Sequence, residues 1–282
     1  MLKLIILYII LFIIIIYLSY RSYFYNKIIK SNQKKDIKII ISRYNENLKW
    51  TLEEPFNKFK YIVYNKGNND NFEKKYVEKI INLQNVGREG HTYLYHIINN
   101  YNNLSDINIF FPGSLEIYLK KNIATNLLYK ILEYNQAITL AYQAKNFLKL
   151  NYNFEINYYE ATSQYNKNLS KNSIAKSSLR PYGKWYEYHF NIINTNIFYF
   201  GIFSIDKKDI LLNSISYYEK FLKELEIDSN PEVGHYIERS WLAIFNPLKY
   251  TIIQYDNNIY FIMFIYNYLF NLGQLLNSYI QT

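Results

Sequence analysis

The stretch Asn85-Val86-Gly87-Arg88-Glu89-Gly90-His91-Thr92-Tyr93-Leu94-Tyr95-His96-Ile97-Ile98 constrains this chain more than any other. Gly87 and Gly90 permit backbone angles and close approaches that a side chain forbids. Leu94, Ile97 and Ile98 follow at helical spacing, which predicts a tight turn running straight into an amphipathic helix. Arg88, Glu89 and His91 then crowd three chemically capable groups into the first turn.

What precedes and follows this turn predicts the fold class. Residues 36–42 are a short β-branched run with the length and flanks of a buried strand. A short helix around Leu48, Trp50 and Leu52 ends at Pro55. Residues 59–64 predict a second strand, closed by Asn65-Lys66-Gly67, and residues 107–111 a third, ending in Pro112-Gly113-Ser114. Strands alternating with helices indicate an α/β domain with a mostly parallel central sheet flanked by helices, Rossmann-like in plan. Further on, residues 116–149 keep helical spacing and predict one or two helices. Residues 154–159 and 197–205 read as strands, 160–184 as a long polar loop that gates the site, and 207–226 and 232–245 as helices.

The ends of the chain differ in character. Leu4 to Tyr20 is apolar and uncharged, bounded by Lys3 and Arg21. Seventeen helical residues span about 26 Å, close to the ~30 Å of a bilayer core. Ser19-Tyr20-Arg21 makes a poor signal-peptide cleavage site. Residues 1–20 are therefore expected to be one transmembrane anchor, with the side of the membrane left open. Residues 21–35 are a basic juxtamembrane linker, 36–246 the α/β domain, and 247–282 an apolar extension packed on it. The formal net charge is +9. Arg21, Lys27, Lys30, Lys34, Lys35 and Lys38, opposed only by Asp36, concentrate that charge beside the anchor. A collar of this kind suits lipid head groups, not a nucleic acid, which wants a basic stripe on the folded domain. There is no cysteine, so disulfides, thiolate nucleophiles and cysteine-bound metals are excluded.

Ligands of open α/β sheets bind outside the carboxyl ends of the strands. Four marked stretches fall there: Arg43-Tyr44-Asn45-Glu46, Asn65-Lys66-Gly67, Gly87-Arg88-Glu89 and Pro112-Gly113-Ser114. Arg43, Lys66 and Arg88 are the candidates for neutralising a diphosphate, helped by amides at a helix N-terminus. A second constellation lies on the helix opened by Pro231. His235, Glu238 and Trp241 share one face by their spacing. Glu238 is the candidate general base, tuned by His235 or Arg239, with Glu232 as substitute. His91 and His96 are five apart, a poor match to a helical metal pair. The chain has no Asp-x-Asp, P-loop, Gly-x-Gly-x-x-Gly or Gly-x-Ser-x-Gly.

The motifs I-S-R-Y-N-E-N-L-K-W, I-V-Y-N-K-G, N-V-G-R-E-G-H-T-Y-L-Y-H-I-I-N-N-Y-N-N-L, F-G-I-F-S-I and E-V-G-H-Y-I-E-R-S-W-L-A-I-F together resemble a domain-of-unknown-function family related in pattern to GT-A glycosyltransferases. The resemblance covers roughly residues 37–246. Arg43, Asn45, Glu46, Arg88, Glu89, His91, Glu238 and Arg239 come across as signature positions, with Asn65, Lys66, Gly87 and Gly113 beside them. It implies a membrane-anchored, GT-A-like domain that binds a nucleotide-sugar and moves the sugar to a hydroxyl of a glycan or protein acceptor. In that fold a short acidic motif binds metal and donor. Here the corresponding strand ends Phe110-Phe111-Pro112-Gly113-Ser114 without it, so no cofactor is assigned and a need for manganese or magnesium is left open. The missing motif also motivates an alternative, a non-catalytic tethered binding or scaffold protein. A third reading is a hydrolase using His91 or His235 with Glu89 or Glu238.

Overall fold

The computed structural model describes residues 34–143, 152–157, 164–165, 174–191 and 196–255. The expected anchor, most of the linker and the run from 259 to 270 lie outside these residues. Among the described residues no helix is long and apolar enough to cross a membrane.

The molecule is a mixed α/β structure. Strands β1 (Ile37–Arg43), β2 (Tyr61–Asn65), β3 (Val77–Asn82) and β4 (Ile107–Pro112) pair in parallel in the order β3-β2-β1-β4, and β7 (Phe203–Asp206) closes the far edge antiparallel to β4. A second sheet contains β5 (Ile138–Gln143) between β6 (Asn196–Ile197), antiparallel to it, and β8 (Ile252–Tyr255), parallel to it. The helices are α1 (Arg88–Asn99), α2 (Tyr118–Tyr134), α3 (Tyr182–His189), α4 (Lys207–Ile210), α5 (Ile215–Leu225) and α6 (Glu232–Ile244).

The apolar runs of β1 and β4 are explained by cover on both faces. Ile39, Ile41, Ile109 and Phe111 join one core with Trp50, Val63 and the inner face of α2 (Ile123, Leu127, Leu128 and Ile131). The alternate residues Ile40 and Phe110 join a second core with Tyr93, Leu94 and Ile97 of α1, Phe221 of α5 and Trp241 of α6. Each such side chain contributes roughly 1.5–3 kcal/mol by leaving water. That is enough to hold α1 and α6 against one face of the sheet without help from surface ion pairs.

Six stretches depart from expectation. Residues 138–143 are a strand, not the continuation of a helix, because α2 ends where Asn135 turns left-handed (φ 52°) and caps Ile131 O. Residues 77–82 form an edge strand whose Glu78 and Lys79 face solvent and disguise it as a loop. The strand expected over 197–205 is broken into β6 and β7 by a turn at Phe200-Gly201, both left-handed at φ 64° and 63°. The helix expected over 207–226 is two. Asp206 caps α4 through Lys208 N–H (2.9 Å), and Ser214 then captures a new N-terminus through Tyr217 N–H. Residues 154–157 carry no strand. At the other end, residues 252–255 of the expected extension are a strand of the second sheet.

Candidate functional site

The order β3-β2-β1-β4 reverses direction between β1 and β4, which opens a crevice at their carboxyl ends. Gly113 N–H donates to Ser42 O at 2.7 Å and closes the floor of that crevice. A Cβ on Gly113 would stand 2.7 Å from Glu46 Oε2, so any larger residue would displace that carboxylate. Glu46 in turn accepts Tyr44 N–H at 2.7 Å. From the other side Lys120, in the first turn of α2, donates to Ser114 Oγ at 2.8 Å.

Helix α1 begins beside this crevice through two consecutive left-handed residues, Gly87 (φ 60°) and Arg88 (φ 52°). Arginine in this region is uncommon and strained. What holds it is Lys66, whose buried ammonium lies under the turn and donates to Val86 O and Arg88 O. Burial lowers the Lys66 pKa to about 7 against the opposing pull of the Glu89 carboxylate. Gly87 N–H is anchored on Asp228 O at 2.8 Å.

Helix α6 approaches α1 from the far end of the chain. Arg88 Nη1 lies 3.0 Å from His235 Nε2, 3.4 Å from Asn230 Oδ1, and its Nε 3.6 Å from Glu89 Oε2. A guanidinium donates only, so His235 Nε2 accepts and the ring is neutral. Burial, then Arg88 and Arg239, hold the His235 pKa well below its ordinary value. Arg239 donates to His235 O at 2.9 Å and lies over the Phe154 ring.

Glu89 and Glu238 share one electrostatic environment. Burial raises the Glu238 pKa, and the neighbouring Glu89 charge raises it further against Arg239, Arg88 and Lys120. Burial also pushes Glu89 upward, but Arg88, Lys120, its own backbone and Lys66 outweigh it and leave its pKa lowered. Each carboxylate's charge disfavours ionisation of the other, and Glu238 is the member whose pKa is raised. The Phe200-Gly201 turn forms one wall: Phe200 N–H donates to Glu238 Oε1 at 2.9 Å, and Tyr93 OH donates to Gly201 O at 2.9 Å.

The structure thus brings Gly87, Arg88, Glu89, Lys66, His235, Glu238 and Arg239 together, with Gly113 and Glu46 on the adjoining rim. Other expected site residues are placed differently. Arg43 is fully buried. Its guanidinium donates to Glu46 O, Tyr44 O, Asn65 Oδ1 and both Asn69 oxygens, and lies over Phe72. Asn45 accepts from Asn69 and completes that web. Glu232, fully buried, accepts Ile156 N–H, Ser177 N–H and Arg180 Nε, and so pins two distant loop segments. His91 stacks on Tyr95, with Nε2 3.9 Å from Glu226, and its pKa is lowered to about 4 by burial and then by Lys66.

Lys120 belongs to the site without having been singled out, while Tyr93 and the Phe200-Gly201 turn stood inside quoted motifs with no role assigned to them. Lysine and tyrosine are so abundant here that neither stands out. The signal for the turn was Gly201, a scarce residue inside an apparent strand. Among the described residues no three His, Asp or Glu side chains gather closely enough to hold a metal ion. A family model described as "Protein of unknown function (DUF3431)" matches residues 39–258. No curated protein matches the chain.

Proposed function

The chain belongs to that family of unknown function, and on this footing we propose that it is a glycosyltransferase-like protein of GT-A type, tethered by its N-terminal apolar run. A nucleotide-sugar occupies the crevice between the ends of β1 and β4, and the glycosyl group passes to a hydroxyl of a glycan or protein acceptor. The observation that carries this reading is the convergence of Glu89 and Glu238, 149 positions apart, beside the direction change of a parallel sheet. In the transfer the anomeric carbon–oxygen bond to the diphosphate breaks and a bond to the acceptor oxygen forms. The acceptor proton goes to Glu238, the general base of this reading, and the nucleoside diphosphate leaves. Arg88 and Lys120, whose charges act on both carboxyls, offset the negative charge that develops.

Titration of the full-length protein with a panel of nucleotide-sugars, with and without manganese, tests the reading. Binding of at least one donor is expected. Failure of every donor under both conditions overturns it.

One observation favours the second reading, a non-catalytic binding or scaffold protein. The Arg43 and Lys66 donors are engaged by the chain's own carbonyls and amides. Donor turnover that disappears in Glu238→Gln while the fold persists rules the second reading out.

A further inference from the structure

The pole of the sheet opposite the crevice carries its own pattern. Asp36, Asp106 and Asp206 mark where β1 and β4 begin and β7 ends. Asp36 N–H donates to Asp106 Oδ2 at 3.0 Å, and Ile107 pairs with Asp206. Helix α4 starts there and leads into Leu211 and Leu212, which are 43% and 42% exposed. Tyr250 beside them is 46% exposed.

Hydrogen bonds tie this surface together. Asp209, fully buried, accepts the N–H groups of Lys249, Tyr250 and Thr251 and clamps that loop against α4. Lys208 Nζ lies 5.1 Å from the centre of the Tyr250 ring. The cations around α4 are Lys34, Lys35, Lys207, Lys208 and Lys249; of the acids there, Asp36 is exposed, Asp106 half-buried and Asp206 buried. Lys35 pairs with Asp206 and Lys207 with Asp106. Lys34, Lys208 and Lys249 have no ion pair among the described residues, which leaves a cationic excess around three exposed apolar side chains.

Chain continuity says what lies against it. The described chain begins at Lys34, at this same pole, and the residues before it carry Arg21, Lys27 and Lys30 and then the uncharged run from Leu4 to Tyr20. We infer that the α4 pole, with Leu211, Leu212 and Tyr250 ringed by Lys34, Lys208 and Lys249, seats on the anionic surface of the membrane that holds the N-terminal run. Lysines beside such a surface strengthen attachment, and exposed leucine and tyrosine suit the headgroup layer. The seven residues of β1 span about 23 Å, so the crevice opens away from the bilayer, toward acceptors outside the headgroup layer. The inference rests on the reading of residues 4–20 as an anchor and is independent of the chemistry at Glu89 and Glu238.

The absence of cysteine makes the test direct. Full-length Leu212→Cys and Tyr118→Cys carry one fluorophore each, Tyr118 being 76% exposed at the crevice end of α2. Each is reconstituted in phosphatidylcholine vesicles with or without ~30% phosphatidylserine. The label at 212 is expected to lose about threefold in quenching by a neutral aqueous quencher in anionic vesicles only, with the label at 118 unchanged. Adding Lys208→Glu and Lys249→Glu, with the fold checked by circular dichroism, is expected to restore quenching. Equal quenching in both vesicle types overturns the inference. So does protection that fades as protein is diluted in lipid, which marks a second copy as the occupant. A chain that fails to float with vesicles overturns the anchor and this inference together, while donor binding at the crevice is scored separately.

Discussion

Arg88 Nη1 stands 3.0 Å from His235 Nε2 across 147 positions of sequence. The contact welds the first turn of α1 to α6 and requires a neutral imidazole. His235, like His91 and His96, has a pKa lowered chiefly by burial, the last two to about 4. For a base whose folded pKa is lowered, the unfolded chain binds more protons as pH falls below ~6.5, so folding stability drops on acidification. Each such histidine steepens the loss by at most about 1.4 kcal/mol per pH unit. His235→Gln keeps an acceptor for Arg88 and should give a shallower decline between pH 6.5 and 4, read by urea titration at each pH.

Glu238→Gln removes a charge that burial and the neighbouring Glu89 disfavour. An acid whose folded pKa is raised costs stability as pH climbs above its ordinary value, because the unfolded chain ionises first. The variant should therefore be at least as stable as the parent at neutral pH, read as an unchanged or raised Tm. Any transfer activity should fall at least ~100-fold. Calorimetry beside a turnover assay separates the two effects, and loss of both fold and activity would demote Glu238 to a structural residue.

Lys66→Met removes the ammonium beneath the strained turn and leaves two carbonyls without their donor. A loss of about 1–3 kcal/mol at pH 7 is expected. The parent should gain stability between about pH 7 and 10, where the folded lysine is neutral and the unfolded one still charged. The variant should lack that rise. Parallel denaturation curves at pH 7, 8.5 and 10 measure both.

Glu232→Ala strips the acceptor from Ile156 N–H and Ser177 N–H. The cost should be about 2–4 kcal/mol from the unpaired amides, with faster proteolysis in the flanking loops. Donor affinity should change little in the fraction that remains folded. A large loss of affinity at unchanged Tm would return Glu232 to the reacting centre.

How much of this was legible in the sequence follows residue environment. Strands β1, β2 and β4 show because cover on both faces makes them unbroken apolar runs. The helix after Gly87 shows because its glycines and its periodicity agree. Edge strand β3 hides behind Glu78 and Lys79, and β5 hides because its apolar residues also satisfy a helical period until Asn135 turns the chain. At the site, Arg88, Glu89, His235 and Glu238 were visible as scarce or chemically distinct residues gathered in motifs. The functions of Arg43 and Glu232 were not visible. A buried charge that organises its own loops looks, in one dimension, the same as a charge awaiting a ligand. Only the partners distinguish them.

One discontinuity connects the architecture to the chemistry. Tyr142 of β5 stands opposite Ile197, while the N–H of Ile138 reaches Ser204 Oγ at 3.0 Å, so four steps along β5 are matched by seven along the opposing segment. The three surplus residues cannot lie flat in the ladder, and the slack emerges at Phe200 and Gly201. Trimming that slack would knit β6 and β7 into a single uninterrupted strand and, in the same stroke, withdraw the amide that grips Glu238. The two sheets stay imperfectly stitched, and the Glu238 carboxyl owes its foothold to the missed stitches.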